Sequence, residues 1–132
     1  MTTGGSAPQF SQPDLAKVLD GLEVAAMDQL DFGVMGFDND YVVQIYNRME
    51  SSFSGFSPER VLGQHVFVTV APCMNNYLVA QRFEDAWAAD EILDVTLDYV
   101  FTFRMRPSSV QLRLLAGPGL KRNYVVVRWS RS

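Results

Sequence analysis

Cysteine and histidine each occur once in these 132 residues, as Cys73 and His65. A lone cysteine excludes an internal disulfide, and one cysteine with one histidine cannot close a structural zinc site. Cations are few: 11 Lys and Arg stand against 15 Asp and Glu, for a net charge of −4. Arg104, Arg106, Arg113, Lys121, Arg122, Arg128 and Arg131 are scattered over the C-terminal third rather than clustered, which excludes a nucleic-acid surface. Their expected place is the solvent face of strands. No apolar run approaches the ~18–20 residues of a membrane span. The start, Met1 to Pro8, lacks the positive charge and apolar core of a signal peptide. One cysteine and no export signal point to a reducing cytoplasm.

What remains is an ordinary single globular domain by length, 48% apolar and 20% charged. Residues 1–10 are rich in Gly, Ser and Pro and read as a flexible tail. Ser11-Gln12-Pro13-Asp14 opens a helix, with Leu15, Val18, Leu19 and Leu22 at helical spacing and Gly21 dividing it from a second short helix. These make an N-terminal helical cap over 11–31, ahead of the main domain at 32–132. Phe32–Phe37 and Tyr41–Tyr46 flank the turn signal Asp38-Asn39-Asp40, predicting a β-hairpin. Short helices follow at 48–53 and from Ser57-Pro58-Glu59, then a loop over 64–75 and the clearest helix over 76–89. Residues 93–105 alternate apolar and polar with Val100 as the one exception, which predicts a strand with one core face and one wet face. Strands over 110–116 and 124–129 complete an α+β fold with a five-stranded, mostly antiparallel sheet.

Three sets of residues could carry chemistry. Cys73 follows Val70-Ala71-Pro72. It reads either as a small buried hydrophobe or as a nucleophile and attachment point, with a following helix N-terminus favouring its thiolate. His65 lies in the same loop and reads more simply as a surface residue than as the base of a cysteine hydrolase. Tyr46, Asn47, Glu50 and Ser54 form a polar cluster among apolar neighbours. Tyr46, Glu50 and Ser54 recur at helical spacing. Glu50 is then either a solvated carboxylate or a buried, protonated acid able to donate a hydrogen bond.

Tyr46-Asn47-x-x-Glu50-x-x-x-Ser54-Gly55-x-x-Pro58, then Val61-x-Gly63 and Val70-Ala71-Pro72-Cys73, resembles the photoactive yellow protein family. Phe32-Gly33, Phe83 and Tyr99-x-Phe101-x-Phe103-x-Met105-x-Pro107 extend the resemblance over roughly residues 13–130. The resemblance implies a PAS fold, with the chromophore-holding loop and helices on one side of the sheet and the N-terminal cap on the other. It implies 4-hydroxycinnamic (p-coumaric) acid held as a thioester on Cys73. Tyr46 and Glu50 would hold its phenolate, Ser54 would support Tyr46, and Phe56, Ala71, Pro72, Phe101 and Met105 would surround it. Phe56 stands where the family has a gating Arg, and Phe103 where it usually has Tyr.

The function so implied is blue-light reception, by trans–cis isomerisation, proton transfer from Glu50 and N-terminal rearrangement, with no enzymatic activity. A separate downstream signalling protein is expected, without nucleic acid or membrane, and the chain is expected as a monomer or weak dimer. The competing reading is a PAS-type binding or dimerisation module in which Cys73 is inert core.

Overall fold

The computed structural model describes residues 7–101 and 108–129. Five strands form one sheet: β1 (Gly33–Phe37), β2 (Val43–Tyr46), β3 (Leu93–Phe101), β4 (Ser108–Ala116) and β5 (Asn123–Trp129). Their spatial order is β2-β1-β5-β4-β3, with every neighbouring pair antiparallel. The Asp38 carboxylate shapes the hairpin turn by accepting from the Asp40 and Val42 amides, and Tyr41 takes a left-handed φ of 69°.

Register sorts the side chains into two cores. Tyr46 lies opposite Met35, Met35 opposite Val125, Val125 opposite Leu114 and Leu114 opposite Val95. This row faces the core that also holds Phe37, Phe67 and Phe83, whose rings meet edge to face at 5.5 and 5.0 Å around Phe37. Such pairs add about 0.5–1.5 kcal/mol each beyond area burial. One residue along, Ile45, Tyr124 and Leu115 face the second core.

That second core is closed by the N-terminal segment: α1 (Leu15–Gly21) buries Leu15 and Leu19, and α2 (Val24–Met27) buries Met27. Phe10, expected in the loose tail, is also buried, edge-on to Phe32 with the Arg128 guanidinium over its ring. The sheet is therefore covered on both faces, and β5 is buried from Asn123 to Val127. Only the edge strand β3 keeps the expected alternation, and even there its odd-numbered residues Leu93 to Tyr99 are half-buried.

Arg113 departs from the expected solvent face. It is 5% exposed, paired in bidentate fashion with Asp94 at 2.8 Å, and it donates to the carbonyls of Phe10 and Gln12. A guanidinium can be buried there because each hydrogen bond is charge-assisted. Asp20 adds a second tie, accepting from Tyr124 Oη at 2.7 Å and the Lys121 amide at 2.6 Å.

The long connection from β2 to β3 holds α3 (Arg48–Ser54), α4 (Pro58–Val61) and α5 (Ala80–Ala89). The expected loop over 64–75 contains a π-helical turn at Val66–Val70 and a 3-10 turn at Pro72–Met74. Helix α5 begins at Ala80 rather than 76, because the Asn76 side chain takes the Leu78 and Val79 amides into a local turn.

Asn47 joins three of these parts. Its Oδ1 accepts from the Glu50 amide, capping α3, and from the Val34 amide of β1. Its Nδ2 donates to the carbonyls of Met27 at 2.8 Å and Phe32 at 3.1 Å. Replacing this buried amide strands several backbone groups and removes a helix cap. Asn47→Ala is expected to cost about 3 kcal/mol in urea unfolding and to speed amide exchange in the N-terminal cap. An exposed change such as Glu59→Ala should do neither.

Candidate functional site

Short helix α3 is defined at both ends: Asn47 caps its start and Gly55 ends it in a left-handed conformation at φ 82°. Glu50 and Ser54 share one side of α3 by their i, i+4 spacing, and Tyr46 reaches that side from the end of β2. Tyr46 Oη donates to Ser54 Oγ at 2.6 Å, and Ser54 Oγ also accepts from the Phe56 amide at 3.1 Å.

Across the sheet face stands the turn carrying Cys73. Tyr46, Glu50, Ser54, Phe56, Ala71, Pro72, Cys73 and Phe101 all line one cavity of about 30 Å³. Met35, Val70 and Met74 complete its wall and were not singled out in the sequence. Met35 could have been found from the hairpin, since it is the register partner of Tyr46. Met105 and Phe103 lie outside the described residues.

Glu50 is 5% exposed, and its Oε1 has no hydrogen-bond partner among the described residues. Burial pushes its carboxyl up from 4.5 to about 7. Gly33 makes the room: a Cβ there would come within 2.2 Å of Glu50 Oε1. Burial also raises the Tyr46 phenol, with the nearby Glu50 charge adding to the effect and the Ser54 hydrogen bond opposing it.

Cys73 differs from expectation. The helix proposed to stabilise its thiolate starts only at Ala80, and burial of the half-exposed thiol raises its pKa. Its own amide N–H pulls the thiol part of the way back. The histidine is placed just as firmly away from catalysis. His65 Nδ1 accepts from the Phe67 and Val68 amides at 3.1 Å, and its ring stacks on Tyr41 at 4.8 Å. With that nitrogen committed and His65 absent from the cavity wall, the cysteine-hydrolase arrangement is not formed.

Phe56 is a half-buried wall residue of the cavity, and the Arg60 guanidinium sits 5.7 Å from its ring centroid. Among the described residues, no helix is long and apolar enough to cross a membrane, and no group of His, Cys, Asp and Glu could hold a metal ion.

No family model matches the sequence. Individual proteins do. The chain is 30% identical over 105 residues to photoactive yellow protein of Halochromatium salexigens, covering 80% of this chain and 83% of that one. It is 29% identical over 106 residues to the protein of the same name from Rhodothalassium salexigens, covering 80% and 84%. Among solved structures, the photoactive yellow protein domain of the sensor histidine kinase Ppr from Rhodospirillum centenum superposes with a TM-score of 0.77 at 38% identity, covering 86% of this chain and 98% of that one. The PAS domain of an HTR-like protein from Haloarcula marismortui shares the fold, with a TM-score of 0.59 at 17% identity. With the PAS architecture in place and relatives matched over most of their length, this chain belongs to the photoactive yellow protein family.

Proposed function

We propose that this protein is a blue-light receptor that carries 4-hydroxycinnamic acid as a thioester on Cys73. The observation that carries the reading is Glu50: a buried carboxyl with an unpartnered oxygen, lining the same cavity as the one thiol of the chain. An orphaned buried acid costs stability unless something completes its hydrogen bonding. A phenolate is a fitting partner: a protonated carboxyl donates to it, the Tyr46 hydroxyl donates too once it turns from Ser54 Oγ, and charge-assisted bonds are strong.

The cavity volume, about that of one water molecule in the liquid, is smaller than such an acyl group. A wall side chain must therefore swing aside, and Phe56, the largest partly exposed side chain of the wall, is the one assigned that movement.

When bound, the acyl group supplies a double bond that isomerises on absorbing light. Glu50 is the proton source: burial raises its carboxyl to about 7, so it would hold a proton well above the usual carboxylate range and would pass that proton to the phenolate oxygen. Once ionised, Glu50 is a buried charge without a counter-ion, which is strongly unfavourable. Strain on Glu50 bears on the cap of α3, because Asn47 Oδ1 holds the Glu50 amide while its Nδ2 holds Met27. Arg48 N–H bonds Asp28 Oδ1 beside it at 2.7 Å. Loosening of these ties releases α1 and α2 from the sheet, exposing the second core to a signalling partner. The sensor-kinase context of the Rhodospirillum centenum domain is consistent with such a partner.

Two outcomes are expected. Intact mass after treatment with activated p-coumarate should show one added acyl group and a yellow product. Cys73→Ala should show neither; an unmodified wild-type thiol would instead favour the binding-module reading.

The second concerns pH. Glu50 binds its proton more tightly folded than unfolded, so the folded state holds more protons between the two pKa values. Stability before acylation is therefore highest below about pH 4.5 as far as Glu50 is concerned. It falls as pH rises to about 7, with a slope approaching 1.4 kcal/mol per pH unit. Glu50→Gln should flatten that fall across the same window in urea titrations, leaving only the contribution of other groups.

A further inference from the structure

We infer that Asn76 and Tyr99 form a clamp on the Cys73 carbonyl that fixes the direction in which the cysteine presents its thiol. Tyr99 Oη donates to Cys73 O at 2.5 Å, Asn76 Nδ2 donates to the same oxygen at 3.0 Å, and Asn76 Nδ2 also donates to Tyr99 Oη at 2.7 Å. The three groups close a triangle, and both lone pairs of the carbonyl are used. The other end of Asn76 is equally committed, with Oδ1 accepting from the Leu78 and Val79 amides at 3.0 and 3.1 Å. The amide thus spends its whole donor and acceptor capacity, so it has one orientation.

Each partner is anchored to something rigid. Tyr99 belongs to β3, where it lies opposite Val110 and meets the Phe101 ring edge-on at 6.0 Å. Asn76 holds the turn that leads into α5, through the Leu78 and Val79 amides. The 3-10 turn of Cys73 is therefore held from the sheet and from the helix at once.

The consequence is chemical as well as mechanical. The Cys73 amide N–H favours the thiolate of its own side chain, against the burial that disfavours it. That benefit depends on the turn keeping its shape. A short turn of three residues has little stability of its own, so the clamp supplies it. Asn76 and Tyr99 are positioning residues: they touch the backbone of the reacting residue and act through it. The same clamp gives β3 and α5 a direct mechanical link to whatever Cys73 carries.

The importance of this clamp rests on Cys73 being the attachment residue, but its test reads thiol chemistry alone. The probe is iodoacetamide, with the rate of Cys73 alkylation followed by mass against pH for the full chain, Tyr99→Phe, Asn76→Ser and the double variant. Tyr99→Phe keeps the ring, and Asn76→Ser keeps an oxygen able to cap the turn into α5. Each single variant is expected to alkylate about threefold more slowly at neutral pH, with its pH midpoint moved up by about half a unit and its Tm little changed. The double variant should be slowed hardly more than either single one, because both act on one carbonyl. An unaltered pH profile, or faster alkylation from a merely loosened turn, would overturn the clamp. If Asn76→Ser fails to fold, Tyr99→Phe alone decides. Failure of p-coumarate to attach to the unmutated protein would count against the photoreceptor reading and leave this test untouched.

Discussion

A carboxyl buried with one oxygen unpartnered is the constraint around which the site is arranged. Glu50 can occupy its place only because β1 offers Gly33 rather than a side chain, and because Asn47 fixes the first turn of α3 so that the carboxyl points inward. Burial then holds the group near the neutral range, where a modest change in surroundings decides whether it carries a proton. Tyr46, tied to Ser54 on one side, has its phenol raised in turn. Two weak acids kept protonated on one cavity make a donor pair suited to a buried anion once the Tyr46 hydroxyl turns from Ser54.

The opposite end of the cavity is built by different means. Cys73 has no helix dipole to activate it and is partly covered. Its turn is held by a tyrosine from the edge strand and an asparagine from the approach to α5. One end of the site is thus set by an unsatisfied group and the other by a group satisfied to capacity. The first is a place where energy changes on protonation; the second is a fixed point against which such a change can do mechanical work. Asn47 and Arg113 carry the consequences to the N-terminal segment, whose packing on the far face completes the second core.

Much of this was legible in the sequence. Alternation from Leu93 onward, broken only at Val100, predicted β3, and the Asp38-Asn39-Asp40 turn predicted the hairpin that forms. The spacing of Glu50 and Ser54 predicted their shared helix face, whereas Tyr46 joins them from the end of β2 rather than from the helix; eight of the nine residues named for the site line one cavity, the ninth, Met105, lying outside the described residues. What was hidden is mostly side chain to backbone. Asn76 delays the start of α5 and braces Cys73 through bonds that no periodicity reveals. Arg113 looked like a solvated strand residue, because its partners Phe10 and Gln12 lie a hundred residues away in sequence. Phe10 sits in a stretch whose Gly and Pro content suggested a loose tail, yet its ring packs on Phe32 under Arg128 and its carbonyl is held by Arg113. His65 read as a surface loop residue because nothing in sequence marks a nitrogen used to cap a π-helical turn.

The central claim is that Glu50 is neutral in the resting protein and becomes charged when light is absorbed. Infrared difference spectroscopy of the p-coumarate-loaded protein, dark against illuminated, reads that carboxyl directly. Illumination is expected to remove a protonated-carboxyl C=O band and to replace it with ionised carboxylate absorption, and both changes should vanish in Glu50→Gln. A protonated-carboxyl band that survives illumination, or one that disappears equally in Glu50→Gln, would contradict it.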